Sequence, residues 1–123
     1  MHLIHDPAAA PAPETTFDTF LAADIRAGTI LSADAFPEAR NPSYRLIIDL
    51  GPGVGTKKSI ARITENYALE DLPGKRVMAV VNFPSRQIGP ARSETLLLGF
   101  ADDHGHIVLS EPAAAVPNGA RLA

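Results

Sequence analysis

The sequence predicts an all-β domain that closes into a small five-stranded barrel, with a short N-terminal helix and a C-terminal extension. Three observations favour this fold class. Side chains alternate at period two in several short stretches, as they do in half-buried strands. A glycine interrupts the first stretch, where a coiled strand needs a bend or bulge. One helical connector separates the third stretch from the fourth. A chain of 123 residues with 46% hydrophobic side chains can build one such core.

The chain begins with an Ala/Pro-rich leader, residues 1–15, which is too rich in proline for a regular helix. We expect this leader to be flexible and the barrel domain to occupy residues 16–123. The domain starts with a short helix, in which Thr16 can cap the N-terminus and Phe17 and Phe20 follow at helical spacing. We expect the apolar side of this helix to lie over one end of the core.

Strand signals follow the helix, and Gly28 marks the expected bend in the first strand. The predicted elements are strands at 25–31, 44–50 and 58–63, a helical connector at 65–72, a strand buried on both faces at 77–81, a fifth strand at 95–100, and a pairing segment at 107–109. This order, with one connector between the third and fourth strands, fits the OB-fold barrel.

The formal net charge of −3 conceals an uneven distribution of charge along the chain. Residues 40–92 carry nine basic and four acidic side chains, whereas the flanking segments are acidic. Such an asymmetry allows an anion-binding face on an acidic protein. Composition alone favours the alternative, in which the basic side chains are spread over a solvated surface, so the positions of these residues must decide.

The loop from Asn82 to Glu94 concentrates polar chemistry between two apolar strands. Prolines and a glycine limit the shapes that this loop can adopt. Arg86 and Arg92 can offer planar, multi-donor forks to phosphate oxygens. Glu94 can orient one of these arginines in the free protein, or Arg92 and Glu94 can form a structural pair that fixes the loop.

Several other functions are excluded or disfavoured. The chain has no cysteine, which excludes disulfides and thiolate chemistry and fits a reducing compartment. No stretch approaches the roughly 20 apolar residues of a membrane span, and residues 1–6 lack the basic start of a secretory signal. We therefore expect a cytoplasmic protein that does not act on a membrane.

Nucleotide hydrolysis and metal chemistry are also disfavoured. The glycine-rich segment 51–59 resembles a phosphate loop, but Thr56 stands where the motif has glycine, and the segment leads into a strand rather than a helix. The histidine pairs at 2 and 5 and at 104 and 106 lack an evident third ligand. No serine lies in a nucleophile-elbow pattern. We expect no catalytic residues, no metal and no cofactor.

Four spaced blocks of sequence carry a resemblance to a known family. They are "FLAADIRAGTILSADAFPEARNPSYRLIIDLG" (20–51), "ARITENY" (61–67), "LPGKRVMAVVNFPSRQIGPARSETLLLG" (72–99) and "VPNGARL" (116–122). In these blocks the chain resembles the tRNA-binding-domain family, specifically the stand-alone CsaA-type proteins described as secretion chaperones. The resemblance implies an OB barrel with added terminal elements, a non-enzymatic homodimer, and tRNA or structured RNA as the ligand, bound by shape and charge.

Family motifs map onto this chain residue by residue. The Asn-x-x-x-Arg-Gln-Ile loop corresponds to residues 82–88, the Ser-Glu pair to 93–94, and the Asp-Ile-Arg-x-Gly motif to 24–28. Thr95 and Ala27 depart from the family's usual aliphatic residue and valine, but neither change removes a cation. The candidate RNA contacts are Arg26, Arg45, Lys57, Lys58, Arg62, Arg86 and Arg92 for the phosphate backbone, and Asn82, Gln87 and Ser93 for sugar or base.

A second hypothesis is a chaperone-like module that binds unfolded or pre-secretory polypeptides. It requires an exposed apolar groove, for which Phe83 and Ile88 are possible lining residues. Ordinary core packing is the preferred interpretation of both residues. RNA binding should vary steeply with salt and peptide binding weakly, so one titration separates the two hypotheses.

Overall fold

The computed structural model, which describes residues 3–123, confirms the predicted all-β barrel. Its main sheet has five antiparallel strands in the order β3-β2-β1-β4-β7, and two small hairpins, β5-β6 and β8-β9, are attached to it. The elements are α1 (Phe17–Leu21), β1 (Ile25–Ala35), β2 (Tyr44–Asp49), β3 (Thr56–Ala61), a 3₁₀ turn (Leu69–Asp71), β4 (Arg76–Val80), β5 (Arg86–Ile88), β6 (Ala91–Ser93), β7 (Leu96–Leu97), β8 (Gly99–Ala101) and β9 (Ile107–Leu109).

The barrel nearly closes where the free edge of β3 meets the segment between β6 and β7. The Glu94 backbone N–H donates to the Lys58 carbonyl (2.8 Å), and the Lys58 N–H donates to the Glu94 carboxylate (3.0 Å). One residue pair further on, the Ile60 N–H donates to the Ser93 hydroxyl (3.0 Å). Side chains therefore replace part of the backbone ladder, and the edge of β3 is not left unpaired.

The core follows the period-two pattern of the sequence. Leu46 and Ile48 of β2 are fully buried, and they meet Ile30 of β1, Val77 of β4 and Leu97 of β7 in one cluster. Each such side chain contributes roughly 1.5–3 kcal/mol through burial. The inward side chains form the core of the barrel. The outward side chains of the same strands are therefore available for other roles.

The second half of the chain is less regular than predicted. The expected fifth strand at 95–100 divides into β7 and β8, and β8 leaves the barrel to pair with β9. A Cβ at Gly99 would lie 2.6 Å from the Val108 carbonyl, so this hairpin requires glycine there. The helical connector at 65–72 shortens to the 3₁₀ turn Leu69–Asp71. The hairpin β5-β6 lies inside the segment that the sequence predicted as a loop.

The bend predicted at Gly28 lies elsewhere. The register of β1 against β2 shifts between Ile30 and Ser32, which places the bulge at Leu31, three residues later. Gly28 is required for a different reason, because a Cβ there would lie 2.7 Å from the Leu50 side chain and 2.9 Å from the Asp49 carbonyl. The glycine therefore allows close approach between strands.

Helix α1 forms as predicted, but its expected packing over the core is wrong. The Thr16 hydroxyl accepts from the Thr19 N–H (3.2 Å) and caps the helix. No residue of α1 is buried, and Phe17 and Phe20 are 66% and 39% exposed. The helix thus presents an apolar surface outward.

The C-terminal extension lies along β1. The Ala27 N–H donates to the Ala120 carbonyl (2.9 Å), and the Leu122 N–H donates to the Ile25 carbonyl (2.8 Å). The Thr29 hydroxyl donates to the Asn118 side chain (2.8 Å). No helix within residues 3–123 is long and apolar enough to cross a membrane.

Candidate nucleic-acid interface

Three arginines from distant parts of the sequence line one cleft of about 240 Å³. Arg40 lies in the loop between β1 and β2, Arg62 follows β3 directly, and Arg86 begins β5. Ile60 and Ile88 belong to the same lining. The cleft therefore combines guanidinium groups with apolar side chains on the outer surface of the barrel.

Strand pairing extends this positive surface over β2 and β3. On β3, Ser59 and Ala61 point inward and are buried, so the alternate side chains of Lys58 and Arg62 point outward. Arg45 of β2 pairs with the residue midway between those two cations, which makes both of them its diagonal neighbours. We call the set Arg40, Arg45, Lys58, Arg62 and Arg86 the cationic face.

The charges of the cationic face are almost uncompensated. Among residues 3–123, no carboxylate lies within 4 Å of the side-chain nitrogens of Arg40, Arg62, Arg86 or Lys58. Within the described residues, Arg45 is the one member of the cationic face with an acidic partner, Asp34 at 3.7 Å. Exposed pairs of this kind contribute about 0–1 kcal/mol. These guanidinium groups are therefore free to donate to an anionic ligand.

Arg86 and Arg92 lie on opposite faces of the β5-β6 hairpin. Arg86 pairs with Ser93, and Gln87 pairs with Arg92, so the two arginines alternate in side-chain direction. Arg86 faces the cleft. Arg92 donates to the Ser85 hydroxyl (2.8 Å) and to the Gln87 side chain (3.3 Å). The hairpin thus separates two residues that the sequence grouped in one site.

Glu94 does not orient an arginine, contrary to both sequence interpretations. Its carboxylate accepts from the Lys58 backbone N–H and so takes part in barrel closure. The neighbouring Ser93 hydroxyl accepts from the Ile60 N–H, which also ties it to the edge of β3. Both residues of the Ser-Glu motif therefore hold the barrel together and position the hairpin beside the cleft.

Asn82 occupies a structural position at the end of β4. Its side-chain oxygen accepts from the Asp24 N–H (2.9 Å), and its amide nitrogen donates to the Ala22 carbonyl (2.8 Å). Both ends of the amide are therefore engaged within the chain. Asn82 fixes the segment between α1 and β1, and nothing places it in the cleft.

Arg26 is held in an ion pair away from the cationic face. It donates to both carboxylate oxygens of Asp24 (2.5 and 3.0 Å) and to the Gly119 carbonyl (3.1 Å). Arg121 lies 3.4 Å from the same carboxylate. Because Arg26 donates to it, the pKa of Asp24 lies below its ordinary value. Arg26 lines a separate depression with Leu122.

The remaining candidates are divided between the two sides of the structure. Lys57 pairs with the buried Ile48, so it lies on the inward-facing side of β3, opposite to Lys58, and is half-buried. Gln87 shares the hairpin face of Arg92 and donates to the Gly89 carbonyl (2.8 Å). Of the predicted set, the structure therefore brings together Arg45, Lys58, Arg62 and Arg86, and it places Ser93 beside Arg86 with its hydroxyl bonded to the edge of β3.

Arg40 is the one arginine of the cleft that was not among the candidates predicted from the sequence. In the sequence, Arg40 stands out only as the first basic residue of the positive segment 40–92. It lies in the β1-β2 loop, far in sequence from the hairpin. The Glu38 carbonyl oxygen of the same loop approaches Gly89 so closely that a Cβ there would lie 3.1 Å from it. That loop-to-hairpin contact brings Arg40 to Arg86. The charge segregation was the one signal that could have identified it.

An apolar groove of about 70 Å³ adjoins the cleft. Phe83, Pro84, Ile60 and Leu96 line it, and Ile88 belongs to the same lining. Phe83 is 51% exposed, so the preferred interpretation of this residue as core is wrong. The two residues named for a possible groove therefore do lie in one.

The histidine turn has a structural explanation. Asp102 accepts from the Asn66 side chain (3.1 Å) and from the backbone N–H groups of His106 (3.0 Å) and His104 (2.9 Å). These bonds, led by that from Asn66, lower the pKa of Asp102. Within the described part of the chain, no group of three or more His, Cys, Asp or Glu could hold a metal ion.

Two curated relatives are methionine–tRNA ligases. That of Porphyromonas gingivalis is 36% identical over 115 residues, which are 93% of this chain and 16% of the ligase. That of Methanothrix thermoacetophila is 36% identical over 107 residues, which are 87% of this chain and 15% of the ligase. The chain therefore spans less than a fifth of these relatives.

The chain matches two solved structures over the full length of each of them. Chaperone CsaA of Bacillus anthracis is 42% identical with a TM-score of 0.84, and the match covers 90% of this chain and 100% of that one. The CsaA chaperone protein of Picrophilus torridus is 39% identical with a TM-score of 0.84, with coverage of 89% and 100%. A family model described as "Putative tRNA binding domain" matches residues 25–121. The chain belongs to the tRNA-binding-domain family, with the OB-type barrel of its CsaA-like members.

Proposed function

We propose that this protein binds tRNA or a similar structured RNA through the cationic face and catalyses no reaction. The observation that carries the proposal is the convergence of Arg40, Arg62 and Arg86 in one cleft without acidic partners. OB barrels bind nucleic acid on the face of their second and third strands and on the adjoining loops, which is where this cleft lies. Family membership supports tRNA as the ligand.

Binding by this face would rest on phosphate contacts. Guanidinium forks match phosphate oxygens, and each neutralised phosphate releases counterions. The logarithm of the affinity should therefore fall with the logarithm of the salt concentration, by roughly 0.7–0.9 per contact. The barrel fixes the spacing of the cations, so the face would select RNA by shape and charge rather than by sequence.

We also propose that the protein works as a homodimer in the cytoplasm. The apolar surface of α1, with Phe17 and Phe20 exposed, lies outside the barrel and is suited to pair with a second copy. A dimer would present two cationic faces to one RNA, and engagement of the first face would raise the effective concentration of the second.

The experiment is a salt-titrated tRNA-binding assay with the double variant Arg62→Ala plus Arg86→Ala. Both side chains are exposed, so the variant should fold. Loss of two charge-assisted contacts should weaken binding roughly 100-fold and lower the salt slope by about 1.4–1.8. Arg76→Ala is the control for loss of a single charge, because Arg76 lies outside the cleft and beside Glu111 (3.7 Å). Unchanged affinity in the double variant would refute the assignment.

A second candidate function is the binding of extended polypeptide. The apolar groove with Phe83 and Ile88 favours it, and the two solved relatives from Bacillus anthracis and Picrophilus torridus are chaperones by name. Such binding should depend weakly on salt and should suppress aggregation of a denatured client at stoichiometric amounts. If the protein leaves aggregation unchanged, this candidate fails.

A further inference from the structure

The arginine cleft and the apolar groove are two parts of one continuous surface. Ile60, Arg86 and Ile88 line both of them. Arg86 stands at the boundary, with Arg62 on the side of the cleft and Phe83 on the side of the groove. A ligand that enters one part therefore meets the other.

We propose that this surface is a two-part site for a single unpaired nucleotide, with its base in the apolar groove and its phosphate in the arginine cleft. The inference rests on the proposed RNA binding and specifies which part of the RNA is gripped. Phe83 would stack against the base, while Arg40, Arg62 and Arg86 hold the phosphate.

The groove has the chemistry that a base requires. Half of the Phe83 surface is open to solvent, and the flat ring lies beside Pro84, Ile60 and Leu96 in a mainly apolar lining. Aromatic side chains bind unpaired bases through their π-faces without regard to sequence. Ser93, Glu94 and Thr95 are also in the lining. Both hydroxyl groups and one carboxylate oxygen of Glu94 are engaged within the chain. Stacking on Phe83 should therefore tolerate any base, and the second Glu94 oxygen is the acceptor that faces a bound base from the lining.

Charge complementarity favours a nucleotide over an apolar peptide. An apolar peptide offers the arginines neutral backbone carbonyls but no anion, whereas a nucleotide joins a flat ring to a phosphate and matches both parts. The bases of a double helix are stacked inside and cannot reach a groove, so only an unpaired nucleotide fits. The site should thus select single-stranded ends or loops of a structured RNA.

The test uses a short single-stranded oligoribonucleotide that contains 2-aminopurine, together with its fully paired duplex and intact tRNA. The wild type should bind the single strand more tightly than the duplex, and stacking should quench the 2-aminopurine fluorescence. Phe83→Ala should weaken binding of the single strand about tenfold and abolish the quench, while the salt slope stays the same. Phe83→Leu, which keeps an apolar side chain without a π-face, should lose the quench as well.

Phe100→Ala is the matched control. Phe100 is 75% exposed on β8, lies outside the groove and carries the same ring, so its loss should leave binding and fluorescence unchanged. Thermal unfolding checks that all variants fold.

Separate results overturn the inference and the proposed function. If Phe83→Ala binds the single strand as the wild type does, while Arg62→Ala plus Arg86→Ala still loses tRNA, the nucleotide site is wrong and RNA binding stands. If the double variant keeps its affinity for tRNA, the proposed function itself fails. If an apolar peptide binds in a manner that depends on Phe83 while the oligonucleotide does not, the groove is a polypeptide site.

Discussion

Two clusters of arginine lie on this barrel, and they differ in their partners. Arg26 and Arg121 share the carboxylate of Asp24, at 2.5 and 3.4 Å, and join the C-terminal extension to β1. Arg62 and Arg86 line the cleft with no acidic partner among residues 3–123. This difference shows that an arginine indicates a ligand-binding site only where its guanidinium donors are not already bonded within the chain.

The largest expected effect separates these clusters directly. Arg26→Ala should lower the melting temperature, because it leaves Asp24 with the weaker partner Arg121, but should change tRNA affinity by less than about threefold. Arg62→Ala plus Arg86→Ala should do the reverse, with a roughly 100-fold loss of affinity and an unchanged melting temperature. Calorimetry and a binding titration on both variants measure the contrast. Equal losses of affinity would abolish the distinction between the clusters.

Asn82→Ala tests whether Asn82, the first residue of the family loop 82–88, stabilises the fold. The substitution removes the hydrogen bonds to Asp24 and Ala22, which should cost about 1–2 kcal/mol of unfolding free energy. Denaturant unfolding measures this loss, with Gln87→Ala as a control from the same loop. Below its melting temperature the variant should bind tRNA as the wild type does. A selective loss of RNA affinity without destabilisation would return Asn82 to the site.

Acid should weaken the paired cluster of Arg26, Arg121 and Asp24. The pKa of Asp24 is lowered in the folded state from its ordinary value of 3.8, mainly by the hydrogen bonds from Arg26, so the folded state binds fewer protons than the unfolded state. This contribution to stability is present above about pH 4 and is lost as the pH falls through the folded pKa. Asp102 adds a contribution of the same sign. Melting temperatures between pH 7 and pH 2 should fall less steeply for Asp24→Asn, and parallel curves would contradict this assignment.

The smallest expected effect belongs to Arg92. It lies on the hairpin face opposite to Arg86 and donates to Ser85 and Gln87. Arg92→Ala should therefore weaken tRNA binding less than about threefold, through the loss of long-range attraction only. Arg86→Ala in the same hairpin is the comparison, with an expected loss of roughly tenfold. If Arg92→Ala were as severe, the face assignment of the hairpin would be wrong.

Local patterns were enough to predict most of the fold. The period-two alternation correctly predicted strands at β2 and β3, and the cap at Thr16 was correct. The errors arose where contacts with segments distant in sequence determine the structure. The segment 95–100 divides because β8 pairs with β9. Helix α1 stays exposed although the spacing of its apolar residues is amphipathic. No local window contains those partners, so no local pattern could reveal them.

The sequence by itself determined the barrel, the excess of positive charge between residues 40 and 92, and the family. Only the tertiary structure decided which cations lie together. It joined Arg40, Arg62 and Arg86, and it turned Arg92 away and paired Arg26 with Asp24. The physical reason is that an arginine carries the same charge everywhere, but its free donors depend on the carboxylates and carbonyls that folding brings within reach.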